Sequence, residues 1–460
     1  MNEELGLERR AGLSTATTLV IANMIGTGVF TTSGFIMQEL HSPVIMLLCW
    51  FVGGLFALAG ALCYAELGAM FPKAGGEYIY LRESFGKPIA FLSGWISLIV
   101  GFSAPIAAGA LAFSAYFLTS VPLFPGADCS ASLFPVPGLC ISIQALIAVV
   151  VIIVFSFVHI QGLALGSLVQ NLLTGFKIVL ICIFVFAGLN LGSGSFAHFG
   201  SGFRVENIFT GSFAVSLIYI SFAYSGWNAA AYLGGEIKRP ARNLPLSLIV
   251  GTSAVVVLYL LLNITFIYAL PPDKMAGTVE VGAQSARALF GTRAGRAFSS
   301  AIALCLLSVI SAMIMAGPRV YYAMAQDRIF LPIVGSIDRP RRTPVFSIVL
   351  QAAIAIGMVL TASFEKLLIY IGFTLALCSV LTVAGMILLR IRLPRAARPY
   401  KTIGYPLIPL FFIAGNLWIV FFSIKSKPVA SLYGFFTILA GLLVYRYFAH
   451  MSKQGAGDSH

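Results

Sequence analysis

Long uncharged stretches recur along this chain. Twelve windows of 18 or more residues contain no Asp, Glu, Lys or Arg, namely 11–38, 40–65, 88–127, 129–176, 178–203, 207–235, 243–272, 297–318, 343–364, 367–389, 402–424 and 428–445. A membrane-spanning helix needs about 20 mostly apolar residues. Lys177 interrupts what is otherwise one apolar segment, 164–189, so it lies inside the fifth span. The pattern predicts an all-α membrane protein with twelve transmembrane helices.

Composition supports a chain that is mostly surrounded by lipid. Hydrophobic residues make up 59% of the 460 residues, charged residues 10%, and the mean hydropathy is +0.95. A soluble protein is about 25% charged, so a soluble fold is excluded. The net charge of +13 comes from basic residues in short loops. Such loops contact anionic lipid head groups and offer no face that could follow a nucleic-acid backbone.

The basic residues also predict orientation. With twelve spans and a cytoplasmic N-terminus, 19 Lys and Arg fall on the cytoplasmic side, eight fall outside, and Lys177 and Arg319 lie within spans. Cytoplasmic loops carry the excess of Lys and Arg. The first span has no cleavage site of a signal peptide after it. We therefore expect a multi-pass protein of the cell (inner) membrane with both termini in the cytoplasm.

The sequence contains few motifs that would indicate a bound cofactor or a catalytic site. Neither a CxxC motif nor a group of His at ligand spacing occurs, so no metal or other cofactor is expected. A catalytic constellation and a repeated selectivity filter are also missing, which disfavours an enzyme and a channel. Cys129 and Cys140 share the outer loop between spans 3 and 4. They are either a disulfide, if the outside is oxidising, or two free thiols.

Glycines interrupt two spans at corresponding places. Residues 25–30 of span 1 read IGTGVF, and residues 221–228 of span 6 read SFAYSGWN. A glycine inside a helix costs about 1 kcal/mol relative to alanine. Interrupted segments at matching positions of two halves indicate a transporter site, while the alternative is a close-packing motif of small residues. The spacing places spans 1–5 and 6–10 in two repeats of opposite topology.

Four blocks in order resemble one family. They are residues 25–30, residues 63–78 (CYAELGAMFPKAGGEY), residues 235–245 (GEIKRPARNLP) and residues 317–327 (GPRVYYAMAQD). With these blocks the chain resembles the amino acid–polyamine–organocation superfamily, and within it the L-type amino acid transporter-like branch. The likeness covers nearly the whole chain. It implies transport of amino acids by alternating access.

The resemblance also implies a domain plan, the leucine-transporter-like fold with a 5+5 inverted repeat. In that plan residues 1–11 are the cytoplasmic N-terminus, and 12–390 are the transmembrane core. Repeat one covers about 12–190 and repeat two about 205–390. Residues 391–450 add spans 11 and 12, and 451–460 form the cytoplasmic tail.

The broken helices predict how a zwitterionic amino acid binds. An N-terminal helix end around Gly26, Thr27 and Gly28 suits a carboxylate, because it exposes N–H groups and the positive dipole end. Carbonyl groups at the other break suit an ammonium. The candidate substrate-binding residues, on both arguments, are Ile25, Gly26, Thr27, Gly28, Phe222, Ala223, Ser225, Gly226 and Trp227. Phe222 and Trp227 are either pocket walls or ordinary packing.

Lys177 is the single residue that most strongly indicates a functional site. An ammonium group in the middle of a span is energetically costly, so a charged residue there is first interpreted as functional. The alternative is a lysine that reaches water at the membrane surface. The resemblance implies that its amine substitutes for the cation that sodium-coupled members of this fold hold between spans 1 and 8. Ser308 and Ser311 are its candidate hydroxyl partners on span 8. We therefore expect sodium independence.

The sequence allows several alternatives for the transported substrate and for the way in which transport is driven. Without an acidic residue near the middle of any span, neutral amino acids are favoured, and a cationic amino acid, polyamine or other organocation is the alternative. Exchange, proton symport and facilitated diffusion compete. Some relatives pair with a glycoprotein through an outer cysteine, but two cysteines occupy this loop, and we expect no obligatory partner subunit. Glu66, Glu236, Arg319 and Asp327 near the cytoplasmic face form either gating ion pairs or loop structure.

Overall fold

The computed structural model describes residues 9–120, 134–136, 139–200, 210–278, 280–338, 340–361, 364–426 and 428–457. Among them, ten helices are long and apolar enough to cross a membrane, judged by length and composition. Shorter apolar helices, Gly211–Ala223 and Val345–Thr361, occur where spans 6 and 9 are predicted. The chain is a predominantly helical, multi-pass membrane protein, which confirms the predicted class apart from one short hairpin.

The first half of the chain begins with a broken helix. The helices of this half are α1 (Leu13–Met24), α2 (Thr27–Leu40), α3 (Pro43–Met70), α4 (Glu77–Phe85), α5 (Lys87–Ile96), α6 (Ala104–Ser120), α7 (Ile143–Ile160) and α8 (Leu163–Leu191). A π-helical segment, Ser97–Ser103, joins α5 to α6. Local chemistry sets some starts: the Ser142 hydroxyl accepts a hydrogen bond from the Ala145 N–H at 3.1 Å, which caps α7.

The second half begins with another broken helix and continues through longer ones. Its helices are α9 (Gly211–Ala223), α10 (Ala229–Tyr232), α11 (Pro240–Ala269), α12 (Pro272–Met275), α13 (Val281–Phe290), α14 (Thr292–Ala316), α15 (Pro318–Gln326), α16 (Val345–Thr361), α17 (Phe364–Arg392), α18 (Leu407–Ser426) and α19 (Pro428–Gly457). The two short helices α12 and α13 lie in the polar stretch before α14.

Burial separates a protein core from a lipid-facing shell. In an 18-residue apolar window of each span, 94% of the residues are buried for the span formed by α1 and α2, and 89% for the span formed by α5 and α6. In contrast, 33% of such a window is buried in α18, and 17% in residues 431–448 of α19. Large apolar side chains such as Phe157, Leu172 and Phe186 are more than 60% exposed. A surface of that kind needs lipid as its solvent, so α1 and α2 form the centre of the bundle.

One small element was not predicted. Strands β1 (Phe134–Val136) and β2 (Leu139–Ile141) form an antiparallel hairpin in the loop between spans 3 and 4, with Pro135 opposite Cys140. The sequence pattern predicted only helices, because strands of three residues are too short to show a period of two. Cys129, the other half of the candidate disulfide, lies outside the described residues.

Candidate functional site

The first helix break lies at the centre of the bundle. Helix α1 ends at Met24, and Ile25 follows with φ −74° and ψ 86°. Gly26 is extended, with φ −117° and ψ −153°, and α2 begins at Thr27. The first N–H groups of a helix have no partner within it. The break therefore presents backbone donors of α2 and backbone acceptors of α1 in the buried interior.

The second break lies directly against the first. Helix α9 ends at Ala223, residues 224–228 turn, and α10 begins at Ala229. Gly226 has φ +92°, and a Cβ atom there would lie 2.9 Å from the carbonyl carbon of Asn23. Only glycine fits this position, because it tolerates the positive φ and has no side chain.

A tyrosine joins the two breaks. The Tyr259 hydroxyl on α11 lies within hydrogen-bond distance of the Met24 carbonyl and 3.0 Å from the Ala223 carbonyl. Its side chain is fully buried. The hydroxyl thus shares its one hydrogen between two carbonyls that the ends of α1 and α9 leave without a helical partner. Sequence reasoning missed Tyr259, since one tyrosine in an apolar span carries no signal.

A cavity lies beside the breaks. Its walls come from α1, α3, α4, the segment joining α5 to α6, α6, α9, the second break, α10, α14, α17 and α18. Of the predicted substrate residues, Ser225, Gly226 and Trp227 line it. Ile25, Gly26, Thr27, Gly28, Phe222 and Ala223 are buried next to it and do not contribute to its lining.

Trp227 is both a wall of the cavity and part of an aromatic cluster. Its ring lies 4.6 Å from the Tyr64 ring and 6.1 Å from the Phe412 ring, and both contacts are edge-to-face. Aromatic rings prefer this arrangement. Phe412 also lines the cavity. Trp227 therefore lines the cavity and also packs against other aromatic rings, so the two alternatives that the sequence allowed for it do not exclude each other.

An acidic side chain at the start of α4 forms part of the cavity wall. Glu77 is the first residue of α4, outside the spans, and its side chain lines the cavity at 3% exposure. Gly76 precedes it with φ +52°, and a Cβ there would lie 2.5 Å from the Tyr232 ring. The sequence pattern did not indicate this carboxylate, because Glu77 lies outside the spans.

The Lys177 ammonium contacts the first break. Its Nζ donates hydrogen bonds to the carbonyl oxygen of Ile25 and, at 3.3 Å, to that of Ala22. The side chain is fully buried on α8. On α14, Ser308 donates to the Cys305 carbonyl at 3.0 Å, and Ser311 lies 2.9 Å from Nε2 of His159. The two serines thus have hydrogen-bond partners other than Lys177 in this structure.

Comparison with known proteins now identifies the family. The family model described as amino acid permease matches residues 12–450. The chain belongs to the amino acid permease family.

Individual relatives agree with that assignment. This permease is similar to the serine/threonine exchanger SteT of Bacillus subtilis (strain 168), with 31% identity across 96% of this chain and 97% of the relative. It is also similar to the human b(0,+)-type amino acid transporter 1, with 30% identity across 96% and 88% of the two chains. The mouse large neutral amino acids transporter small subunit 2 is 29% identical across 96% and 81%. These matches confirm the resemblance to L-type transporters, and the chain is a transporter rather than an enzyme.

Two ion pairs join elements that are distant along the chain of the permease. Arg319 Nε lies 2.9 Å from Glu236 Oε1, and these side chains are 3% and 2% exposed. Arg390 donates to both oxygens of Glu66, at 2.8 and 2.6 Å. Thus three of the residues that the sequence assigned to gating or loop structure take part in ion pairs whose partners lie far away along the chain.

The remaining residue of that set, Asp327, holds α4. It accepts hydrogen bonds from Arg82, at 2.8 and 2.7 Å, and from the Tyr78 hydroxyl. Burial and the bond to Asp327 raise the pKa of Tyr78, so its hydroxyl remains a donor. The N-terminal segment is tied to the same side, since the Ala11 N–H donates to the Glu236 carbonyl at 2.9 Å. These contacts join α4 to the end of α15, and the N-terminal segment to the chain that follows α10.

Proposed function

We propose that this permease carries neutral L-amino acids across the membrane by alternating access, without sodium, by exchange or by proton-linked uptake. The observation that carries the proposal is the meeting of two helix breaks beside one cavity. Helix breaks supply partners for both charged groups of a free amino acid without charged side chains. Near the bilayer centre, a charged group without such partners is costly.

The backbone geometry supports a polar orientation of the substrate. The start of α2, at Gly26, Thr27 and Gly28, favours the substrate carboxylate, because N–H groups and the positive dipole end point away from the helix there. The end of α9, with the carbonyls of Phe222 and Ala223, favours the ammonium. Ile25, Ser225, Gly226 and Trp227 complete the proposed binding residues.

Neutral substrates are supported by the names of two relatives. One is a large neutral amino acids transporter and another is a serine/threonine exchanger. One observation favours a second candidate: the Glu77 carboxylate in the cavity wall suits the cationic side chain of a basic amino acid or polyamine. A panel of labelled neutral and cationic amino acids, assayed by uptake into proteoliposomes that contain unlabelled amino acid, separates these substrate classes.

Sodium independence rests on the Lys177 ammonium, which donates to the Ala22 and Ile25 carbonyls as a bound cation would. We expect Lys177→Ala to reduce exchange by about 5–150-fold, because buried carbonyls that lose a charged donor cost about 1–3 kcal/mol. Lys274→Ala, at an exposed lysine, is the matched control. Uptake that requires a sodium gradient, or near-normal exchange by Lys177→Ala, would refute this role.

The finer architecture belongs to the same proposal. We propose twelve spans in a 5+5 inverted repeat followed by two further helices, both termini in the cytoplasm of the cell membrane, and function without an obligatory partner subunit. The ten long apolar helices and the two shorter ones, Gly211–Ala223 and Val345–Thr361, support the count. Labelling of single cysteines introduced in each loop by a membrane-impermeant reagent tests the topology, and transport by the purified single chain tests its independence.

A further inference from the structure

Glu77 is held in an enclosed position by the shape of the chain before it. Gly75 and Gly76 both have positive φ, of 117° and 52°, and together they turn the chain so that α4 begins beneath the cavity. The Glu77 side chain is 3% exposed and forms part of the cavity wall. The carboxyl group is therefore withdrawn from bulk water and reachable through the cavity.

Three neutral donors converge on one carboxyl oxygen. The Tyr64 hydroxyl, the Asn228 side-chain amide at 3.0 Å and the Ser379 hydroxyl at 3.4 Å all donate to Glu77 Oε1. Tyr64 belongs to α3, Asn228 to the second helix break and Ser379 to α17. The carboxyl group thus connects α4 to three separate elements of the bundle.

Cations are missing from this cluster. Within the described ranges, no Lys, Arg or His forms an ion pair with Glu77. The charged side chains of α4 and α15 are engaged elsewhere, Arg82 with Glu83 and Asp327, and Arg319 with Glu236. The titratable groups close to the carboxyl are Tyr64 on α3, Tyr80 on α4, Tyr232 on α10 and Cys378 on α17.

These neighbours are uncharged at neutral pH by their ordinary pKa values. The negative charge of an ionised Glu77 is then balanced only by dipoles. Burial raises the pKa of Glu77, and the hydrogen bonds from Tyr64, Asn228 and Ser379 oppose part of that rise. Proton affinity at this carboxyl consequently depends on how many of the three donors are in place.

Alternating access moves parts of the bundle relative to one another, and the three donors belong to different parts. When a donor leaves or water enters the cavity, the proton affinity of Glu77 changes. A proton that binds one conformation more tightly than another shifts the equilibrium between them, and the coupling is reciprocal. This geometry links protonation of Glu77 to the transport cycle.

We propose that Glu77 is the proton-coupling group of this permease. Its carboxylate takes up one proton from water on one side of the membrane and becomes a carboxylic acid, and it returns that proton to water on the other side. One proton and one zwitterionic amino acid then cross together, and one positive charge moves. The inference rests on the proposed function as an amino acid carrier, and it selects proton-linked uptake among its modes.

The test measures protons and amino acid together. Purified permease is reconstituted in liposomes that contain a trapped fluorescent pH indicator, and uptake of labelled serine or leucine is followed at the same time. An inward gradient of about two pH units drives up to about a hundredfold accumulation when one proton is coupled. We expect about one proton per amino acid for the wild type. For Glu77→Gln we expect no proton flux per amino acid carried, whatever the residual rate.

A second variant covers the case in which Glu77→Gln does not fold. Ser379→Ala removes one donor to the carboxyl and keeps the acid, so the pH at half-maximal uptake should move upward. An unchanged pH profile in Ser379→Ala, when Glu77→Gln is inactive, overturns the proposal. So does net amino acid uptake without proton flux by the wild type into liposomes that contain no amino acid, or an unchanged proton ratio in Glu77→Gln.

Two further outcomes are distinguishable. If wild-type permease carries arginine or ornithine, and Glu77→Gln loses only these substrates while its proton ratio for serine is unchanged, Glu77 recognises a cationic side chain and the proton proposal falls. If the wild type neither exchanges amino acids of the panel at equal pH nor takes them up under an inward pH gradient, the proposed function itself fails.

Discussion

Gly28 lies at a close approach of the two broken helices, so one added methyl group tests their arrangement. A Cβ atom at Gly28 would lie 2.5 Å from Ala223 Cα and 2.7 Å from Ala223 Cβ. Both of these atoms are close to the backbone of α9, and they cannot rotate away. At Gly26, two residues earlier, a Cβ atom would meet Val309 side-chain carbons at 3.6 and 3.7 Å and the Met24 carbonyl oxygen at 3.9 Å, all ordinary contact distances.

The expected cost follows from these distances. The optimal separation of non-bonded carbon atoms is about 3.5–4.0 Å, so Gly28→Ala must move α2 and α9 apart by about 1 Å. Overpacking of this kind costs about 1–3 kcal/mol. That free energy corresponds to a loss of about 5–150-fold in the population or substrate affinity of the closely packed state. Gly26→Ala keeps normal contact distances and should change either quantity by less than about twofold.

The assay is substrate counterflow by purified protein in liposomes, with thermal unfolding in detergent measured in parallel. We expect Gly28→Ala to raise the apparent KM or to lower the unfolding temperature, and Gly26→Ala to do neither. Both variants keep every backbone N–H group, so a difference between them reports the contact alone. If Gly28→Ala keeps the wild-type KM and the wild-type unfolding temperature, the two breaks do not meet as described. The same conclusion follows if Gly26→Ala changes KM or the unfolding temperature as much as Gly28→Ala does.

Two other substitutions probe contacts that hold the site. Tyr259→Phe removes the hydroxyl shared by the Met24 and Ala223 carbonyls, and we expect a loss of about 1–3 kcal/mol, read as weaker substrate affinity in counterflow. Unaltered affinity would exclude a role for the hydroxyl. Glu236→Gln leaves buried Arg319 without its carboxylate, so we expect destabilisation by about 3–5 kcal/mol, measured by thermal unfolding. The double variant with Arg319→Met should recover part of that loss, and an additive loss would argue against the ion pair.

Membrane spans and helix breaks were accessible from sequence because both are local properties. Twenty apolar residues insert as a helix whatever their neighbours, since lipid offers the backbone no other hydrogen-bond partner. Glycines in mid-span weaken a helix at their own position, and the breaks lie at Ile25–Gly26 and at residues 224–228. Lys177 was detectable for the same reason, because a charge within an apolar segment is visible in one dimension.

Details that depend on distant residues were beyond the sequence. Glu77 lies in a loop by sequence, and only the turn at Gly76 and the packing of Tyr232 place it in the cavity wall. Its contact with Asn228 joins residues 151 positions apart. The acidic and basic residues near one membrane face were recognised as a set, but Glu66 bonds Arg390, 324 positions away, and no spacing rule indicates that partner.

The sequence by itself therefore determined that this chain crosses the membrane many times, belongs among amino acid carriers by its motifs, and carries one lysine inside a span. Only the tertiary structure decided which groups meet at the two breaks: Tyr259 against two carbonyls, Lys177 against the end of α1, and Glu77 among three neutral donors. The physical reason is the distance along the chain over which each effect acts. Hydropathy and helix propensity act over one or two turns, while the environment of a buried charge depends on helices that only packing brings together.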